Sequence, residues 1–406
     1  MIQLFKMAFR DLGRNRRRSF FSALALAIGL ALLLLMAAVV TGEMRGSMND
    51  SIKLESGHLQ VQSKTYDQTK ASLAFEDLVA NPGQIAAQVA ALAPVQVATP
   101  RLYASGIVQT GDNSVGVRII GIDPPSAANA PYRDGIVNGQ FLTADDTSGI
   151  LIGQPLADKL GLKAGDQTTL LVNTSNGTVD QQPFFIRGTY STKTPTYDQG
   201  TVFMPLAKAQ AITQAVNHAS VIFVLLKDRD QAGAVAAAIK SSQYQVKTWQ
   251  QMNTLLVQIE QFSGVYMDFL YLIILAITAT VIVNTLIMSV FERTREIGIL
   301  AAIGMKSSSI MGLFFAESGL LGVGGIVMGS VMGGILVYLA TKYGFYIGNI
   351  GATGIMLGER IYAYLVPSDA ISLIIVAFIV TLLAALYPAI LAARMEPVDA
   401  LRGGKK

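Results

Sequence analysis

The sequence predicts a polytopic α-helical membrane protein with four transmembrane helices, one before and three after a large mixed α/β extracytoplasmic domain. Composition is the first observation, because the 406 residues are 51% hydrophobic and only 14% charged, whereas soluble proteins carry about 25% charged residues. The second is a set of four uncharged windows near or above the roughly 20 residues that cross a bilayer. These windows are Ser19–Gly42, Phe269–Phe291, Ser318–Thr341 and Ala370–Ala393.

The first window follows the basic run Arg14–Arg18 and so resembles a secretory signal peptide as well as a membrane helix. Its apolar run is longer than the roughly 7–15 residues usual for a signal peptide, and we therefore expect an uncleaved helix.

Lysine and arginine near the helix ends predict the orientation, because cytoplasmic flanks retain positive charge. Residues 1–18 carry six basic side chains against Asp11 alone, and 394–406 carry four more. We expect both termini in the cytoplasm, 43–268 and the short loop 342–369 outside, and 292–317 inside. The net charge of +4 then reflects topology, and no nucleic-acid partner is expected.

The outer segment has a mixed α/β pattern. A strand GHLQVQS precedes a helix between Pro82 and Pro94, and a hairpin turns at Gly111-Asp112-Asn113. A second strand–helix–strand pattern follows, with strands over 219–226 and 244–249 and a helix over 230–242. This order predicts a ferredoxin-like subdomain, with residues of about 120–215 inserted as a second, strand-rich subdomain.

A helical stalk is expected to carry this domain. Residues 249–291 contain no proline and one glycine, and a continuous helix of that length would be about 65 Å long, roughly twice a bilayer core. Apolar residues at 3-4-3-4 spacing in its outer half indicate a coiled-coil seam, unless this face packs on the chain's own domain. This stalk seam is Met252, Leu255, Ile259, Phe262 and Tyr266. Met44, Met48 and Ile52 continue the first helix outward in the same way.

No catalytic, cofactor or metal site is predicted. The chain has no cysteine, its histidines His58 and His218 are isolated, and no G-x-x-x-x-G-K-[ST] loop occurs. Any energy from a nucleotide must therefore come from a partner.

Two features of the third membrane helix stand out. Gly325, Gly329 and Gly333 recur every four residues, the spacing that lets helices approach closely in lipid. Glu317 precedes about 36 Å of uncharged helix and is therefore expected at the inner interface, where it is a candidate functional carboxylate. In the fourth helix, Pro388 should cause a kink.

The interval FERTREIGILAAIGMK, residues 291–306, separates two membrane helices. Glu292 and Arg295 are spaced to pair, and Ile297, Leu300, Ala301 and Gly304 share one helical face. Such a helix either docks into a groove of a soluble protein or lies among lipid headgroups.

This interval and its flanks resemble a known family. NTLIMSVFERTREIGILAAIGMKSSSIMGLFFAESGLLGVGGIVMG (284–329) and YPAILAARMEPVDALR (387–402) are similar to the FtsX-like permease domain of ATP-binding cassette transporters. This is the four-helix class of the macrolide exporter and the lipoprotein-releasing transporter. VGVRIIGIDPP and ILIGQPLADKLGLKAGDQTTLLV resemble the outer domain of lipoprotein-releasing subunits.

The resemblance implies a mechanism. A coupling helix over Glu292–Ser308 would contact a separate ATPase subunit, which would bind ATP and Mg²⁺, and closure of the ATPase dimer would move the stalk and outer domain. The residues implied in that contact are Glu292, Arg293, Arg295, Glu296, Leu300 and Met305. Macrolide-exporter subunits carry an attached N-terminal ATPase domain, which we do not expect in this chain.

The resemblance also implies a permease dimer with two ATPase subunits in a bacterial inner membrane. A lipoprotein, lipid or peptide is the expected substrate, and a periplasmic chaperone or adaptor is a further expected partner. The alternative is a signalling scaffold that activates a cell-wall hydrolase outside, although the size of the outer segment favours transport.

The orientation can be tested with reporter fusions. A reporter enzyme that works only outside the cytoplasm should be active when fused after Ser126, and one that works only in the cytoplasm should be active when fused after Gly298. The reason is that the basic flanks are retained inside. A cytoplasmic signal at Ser126 would overturn the predicted topology.

Overall fold

The computed structural model describes residues 2–14, 16–68, 70–239, 243–348 and 358–396. Residues 349–357 of the predicted outer loop and 397–406 of the predicted tail lie outside these ranges. The chain divides into two units. The membrane unit comprises Met1–Met44, Glu260–Phe345 and Ile361–Lys406, and the α/β unit comprises Arg45–Ile259 and Tyr346–Arg360.

The helices, in chain order, are α1 (Ile2–Arg14), α2 (Arg16–Ser51), α3 (Pro82–Ala90), α4 (Ala130–Arg133), α5 (Gln154–Leu160), α6 (Pro195–Gly200), α7 (Leu206–Ile212), α8 (Ala232–Ala238), α9 (Trp249–Met252), α10 (Thr254–Glu292), α11 (Thr294–Ala302), α12 (Ser307–Tyr343), α13 (Pro367–Ala384) and α14 (Leu386–Ala393). A π-helical turn, Ile52–Ser56, follows α2 directly.

The strands are β1 (Leu59–Ser63), β2 (Val79–Ala80), β3 (Val95–Thr110), β4 (Asn113–Ile122), β5 (Ile136–Gly139), β6 (Gly149–Gly153), β7 (Gln167–Asn173), β8 (Val179–Tyr190), β9 (Thr201–Pro205), β10 (His218–Ala219), β11 (Val221–Leu226), β12 (Tyr244–Thr248), β13 (Phe345–Tyr346) and β14 (Arg360–Ile361).

Four helical stretches in the described residues are long and apolar enough to span a membrane, as the sequence predicts. They are Arg16–Ser56, Thr254–Glu292, Ser307–Tyr343 and Pro367–Ala393. The last is interrupted between α13 and α14, three residues before Pro388. Because proline has no N–H, it cannot complete the helical hydrogen bond to Ala384, which accounts for the interruption at Ala385. A kink at this position stays a prediction.

Within the membrane unit, α12 lies directly against α2 at the three glycines that the sequence predicts as packing positions. A Cβ at Gly325 would meet Leu26, one at Gly329 would meet the carbonyl oxygen of Ala27, and one at Gly333 would meet Leu34. The two backbones approach this closely because these positions have no side chain.

In the α/β unit, β12, β1, β11 and β3 lie side by side as antiparallel neighbours. Together with α3 and α8 they give the strand order of a ferredoxin-like fold, as the pattern predicts. Apolar residues of both helices pack on these strands, among them Ala86, Val89, Ala232 and Val235. The β3–β4 hairpin turns where expected, with Gly111 at a φ of 55° that favours glycine.

The segment predicted as an insertion continues the same sheet. From β3 the described strands run through β4, β9, β6 and β8, and β7 pairs with both β8 and β3. Each of six strands is therefore paired on both sides, and together they form a closed ring of strands, which leaves fewer unpaired strand edges. The six are β3, β4, β9, β6, β8 and β7. Their inward side chains form one buried cluster, which includes Val108, Ile119, Ile152, Leu170, Phe184 and Val202.

The prediction of one continuous helix from Trp249 is wrong. α9 ends at Met252, and Asn253 adopts φ −106° and ψ 42°, outside the helical range. The Asn253 side chain stabilises this break, because its amide nitrogen donates to the carbonyl of Trp249 (2.9 Å) and to Ser56 Oγ (3.1 Å). Its carbonyl oxygen accepts from Ser51 Oγ at 2.5 Å. Asparagine side chains compete with helical bonds in this way.

The stalk seam is consequently divided, with Met252 on α9 and the other residues on α10. Leu255, Phe262 and Tyr266 are exposed, and Phe262 is 74% accessible. Leu256, one position away, is buried with Met48 and Ile52. Met252 and Ile259 are half-buried, and both alternatives for the seam, packing on the chain's own domain and contact with another chain, stay predictions.

The contact between α12 and α2 yields a stability prediction. Gly329→Ala should destabilise the protein by about 1–3 kcal/mol, because the added methyl group overpacks against Ala27. Gly324→Ala is the matched control, since nothing lies within 4 Å of its Cβ position. Thermal unfolding in detergent should separate the two variants, and equal midpoints would contradict the packing argument.

Candidate functional site

The charged interval folds as a short helix between two turns. α10 ends at Glu292, Arg293 leaves the helical conformation, and α11 covers only Thr294–Ala302. The predicted helix over Glu292–Ser308 is therefore too long. α11 ends in a Schellman motif: Gly304 N–H donates to Ala301 (3.0 Å) and Met305 N–H to Leu300 (3.0 Å). Gly304 has a φ of 91°, which this ending requires.

Arg293 lies at the centre of the site. Its guanidinium contacts three carboxylates, at 2.5 Å from Asp11, 3.2 Å from Glu296 and 3.3 Å from Glu317. Asp11 belongs to α1, Glu296 to α11 and Glu317 to α12, so these four residues, the Arg293 cluster, connect three helices to the α10–α11 turn. Burial alone would lower the pKa of Arg293, but Asp11 and Glu317 raise it above its usual value.

A second set of ion pairs surrounds this cluster. Arg14 donates from Nη2 to both oxygens of Glu296, at 2.7 and 2.9 Å, and Arg18 pairs with Glu292. The predicted pair of Glu292 with Arg295 is therefore wrong. Partial burial would raise the pKa of Glu296, but hydrogen bonds from Arg14 and Arg293 hold it below its usual value.

Glu317 is 3% exposed and faces Arg293. A buried carboxylate at one end of an apolar helix needs a cation, and Arg293 supplies it within the protein. Nothing in the local pattern pairs Arg293 with Asp11, which lies 282 residues away. The one available signal is that Asp11 is the single acidic residue in the basic segment 1–18.

Apolar contacts place one face of α11 inside the protein. Ile297 is buried in a cluster with Val290, Ile310, Phe314, Ala389 and Ala392, and Ala301 and Met305 pack against it. Leu300 is half-buried. Most of the face that the sequence predicts for docking therefore points inward.

The opposite face of α11 is open to a partner. Arg295 is exposed, as are Ile299 and Ile303, and Ile303 is 77% accessible. Sequence reasoning identified Arg295 but missed the two isoleucines, because they fall outside the apolar stripe of Ile297 and Ala301.

Each of the two histidines has a contact within the protein. His58 Nδ1 accepts the N–H of Leu226 at 2.8 Å, and His218 packs against the ring of Phe75. Within the described ranges no group of three or more histidine or acidic residues is arranged to hold a metal ion.

Four membrane-length helices, a charged turn and a separate α/β unit define a multi-pass membrane protein with a large second domain. Residues 19–242 match the MacB-like periplasmic core domain family, and residues 269–397 match the FtsX-like permease C-terminal family. The chain belongs to the MacB-like family, within the superfamily of ABC transporter permeases.

Relatives match over most of the chain. The lipoprotein-releasing system transmembrane protein LolC of Xylella fastidiosa (strain Temecula1) is 24% identical over 98% of this chain and 98% of its own length. LolE of Haemophilus influenzae is 23% identical over 94% of this chain and 93% of its own length. The macrolide export ATP-binding/permease protein MacB of Shewanella sp. (strain W3-18-1) is 22% identical over 98% of this chain, which spans 60% of that protein.

A solved structure was also matched. The periplasmic region of MacB from Actinobacillus actinomycetemcomitans aligns with 52% of this chain and 97% of its own, at 14% identity and a TM-score of 0.36.

The Arg293 cluster yields a stability prediction. Arg293→Met should destabilise the membrane unit by about 3–5 kcal/mol, because it leaves the carboxylates of Asp11 and Glu317 buried without a cation. Adding Asp11→Asn and Glu317→Gln should recover part of that loss in thermal unfolding experiments in detergent.

Arg295→Met is the matched control, since Arg295 is exposed and the change should stay within about 0.5 kcal/mol. An unfolding midpoint for Arg293→Met equal to that of Arg295→Met would show that the cluster does not hold the helices together.

Proposed function

We propose that this ABC transporter permease couples ATP hydrolysis by a separate ATPase subunit to movement of its α/β domain, a mechanism called mechanotransmission. The observation that carries the proposal is α11. It is a short helix with an open face of Arg295, Ile299 and Ile303. It directly follows Arg293, whose buried ion pairs with Asp11 and Glu317 connect the α10–α11 turn to α1 and α12.

The open face fits a protein partner better than lipid. Exposed apolar side chains next to a cation suit a groove in a soluble protein. The chain leaves the helix at Ile303 and turns at Gly304, so the open face is only two turns long. A push on α11 would pass directly to α1 and α12 through Arg293 and its carboxylates. It would reach the first turn of α2 through Glu292 and Arg18.

Two helices are long enough to continue the motion beyond the membrane. α2 has 36 residues and α10 has 39, so each is over 50 Å long at about 1.5 Å per residue, against a bilayer core of about 30 Å. In the proposed topology both termini and α11 are cytoplasmic. One helix precedes the periplasmic domain and three follow it, and the domain, with its two subdomains, is carried on the extended helix ends.

We propose two copies of the ATPase, which bind ATP and Mg²⁺, and a second permease, identical or related, in a bacterial inner membrane. This chain then needs no cofactor of its own. The exposed stalk seam residues Leu255, Phe262 and Tyr266 are suited to contact the second permease.

We propose that the moving domain extracts or exports a lipoprotein, lipid or peptide from the outer leaflet or the periplasm. The relatives whose names concern lipoprotein release match this chain over nearly its whole length, which supports that substrate class. A periplasmic chaperone or adaptor would receive the substrate.

The coupling face can be tested with Ile303→Asp in the chain co-purified with its ATPase. Ile303 is 77% exposed, so the change should leave folding intact. The ATPase should dissociate, or its rate should no longer depend on the permease, because an aspartate in an apolar groove costs several kcal/mol unless it is paired. The chain alone should not hydrolyse ATP.

Val216→Asp is the matched control, because it also introduces an aspartate at an exposed β-branched apolar residue, here one of the α/β unit that is 69% exposed. It should bind and stimulate the ATPase as the unmodified chain does. If Ile303→Asp and Val216→Asp behave alike, α11 is not the coupling element.

A further inference from the structure

The π-helical turn Ile52–Ser56 connects α2 to the sheet without a loop. The N–H of Gly57 donates to the carbonyl of Ile52 at 2.8 Å, which closes the wide turn, and β1 begins at Leu59. Gly57 has a φ of 63°, and a Cβ there would meet the carbonyl of Val224. π-helical turns are uncommon and are frequent at functional sites.

One backbone carbonyl in this turn receives three side-chain donors. The oxygen of Leu54 accepts from Tyr132 Oη at 2.8 Å, from Arg101 Nη1 at 3.2 Å and from Tyr197 Oη at 3.2 Å. A carbonyl has two lone pairs, so three donors saturate it. Tyr132 belongs to α4, Arg101 to β3 and Tyr197 to α6, and all three side chains are buried.

Arg101 is the unusual member of this group. It is 0% exposed, yet the described residues give it no carboxylate within ion-pair distance. Its guanidinium lies 3.6 Å from the centre of the Phe223 ring, and its Nε and Nη2 atoms have no hydrogen-bond partner in the part of the chain that the structure describes. Burying an unpaired cation is costly, so packing alone does not account for it.

A neighbouring ion pair holds the same turn. Glu55 pairs with Arg118 of β4, and the side chain of Gln60 donates to the Glu55 carbonyl at 3.0 Å. Two successive residues of the turn, Leu54 and Glu55, are therefore each attached to a strand of the sheet.

We propose that Arg101, Tyr132 and Tyr197 form a clamp on the Leu54 carbonyl that makes the α/β domain follow the outer end of α2. The inference rests on the proposed function, since a clamp matters only if α2 moves. The three residues are positioning residues and contact no substrate. Without the clamp, the π-helical turn would act as a hinge and absorb the motion.

The test uses Tyr132→Phe/Tyr197→Phe, which removes two of the donors and keeps both rings. Amide hydrogen exchange of residues 52–57 should accelerate about 5- to 30-fold, the effect of losing one to two kcal/mol of local hydrogen bonding. Spin labels at Asn49→Cys and Asp112→Cys, in this cysteine-free chain, should change from a narrow to a broadened distance distribution.

Tyr190→Phe is the matched control. Tyr190 is equally buried in the same aromatic group, but its hydroxyl donates to Thr201, at 3.0 Å, and not to the turn. It should lower the unfolding midpoint without changing exchange at 52–57 or the label distribution. Equal effects of Tyr190→Phe and the double variant would reduce the clamp to ordinary core packing and overturn the proposal.

A second readout separates this inference from the proposed function. In the complex with its ATPase, labels at Asp112→Cys in both permease copies should report an ATP-dependent distance change, and the double variant should lose it while ATP turnover continues. A change that persists in the double variant would overturn the clamp and leave mechanotransmission intact. No ATP-dependent change in the otherwise unmodified chain would overturn mechanotransmission, whereas the exchange result would still decide whether the turn is clamped.

Discussion

A guanidinium that is removed from water must be neutralised where it lies, and this requirement determines the arrangement around Arg293. Its side chain is 8% exposed, and the cost of burying a cation of this size is several kcal/mol. Carboxylates from α1, α11 and α12 meet that cost, so none of these helices can shift alone without leaving a charge unpaired. Glu296 adds a link to Arg14, and the ion pairs thereby join the α10–α11 turn to the helices around it.

The α/β unit is held differently at the turn after α2. There many of the contacts are hydrogen bonds: three donors, one of them the Arg101 guanidinium, meet the Leu54 carbonyl, and Asn253 joins the α9–α10 break to Ser51 and Ser56. One ion pair, between Glu55 and Arg118, holds the same turn. A hydrogen bond between neutral groups contributes about 1 kcal/mol, so the turn after α2 is held by several separate contacts, whereas the α10–α11 turn is held by a single charge network.

Features encoded by local patterns were predictable from the sequence. The four membrane helices follow from length and apolarity, and the hairpin at Gly111 and the strands around α3 and α8 follow from alternation and turn residues. The break at Asn253 was missed because its side-chain partner Ser51 lies 202 residues away. The same limit applies to Arg293, since charges along one helix suggest neighbours as partners and cannot reveal a carboxylate on α1.

Because the carboxylates of Glu292 and Glu296 already have internal partners, the contact between α11 and the proposed ATPase must be made by Ile299, Ile303 and Arg295. Two buried isoleucines contribute about 3–6 kcal/mol, whereas bringing two proteins together costs an estimated 4–15 kcal/mol in lost freedom of motion. The open face of α11 is thus too small to hold a partner alone, and other contacts must supply most of the affinity. Its proposed role is then to transmit movement, since a small contact fixed to a rigid charge network can pass on a displacement without dominating binding.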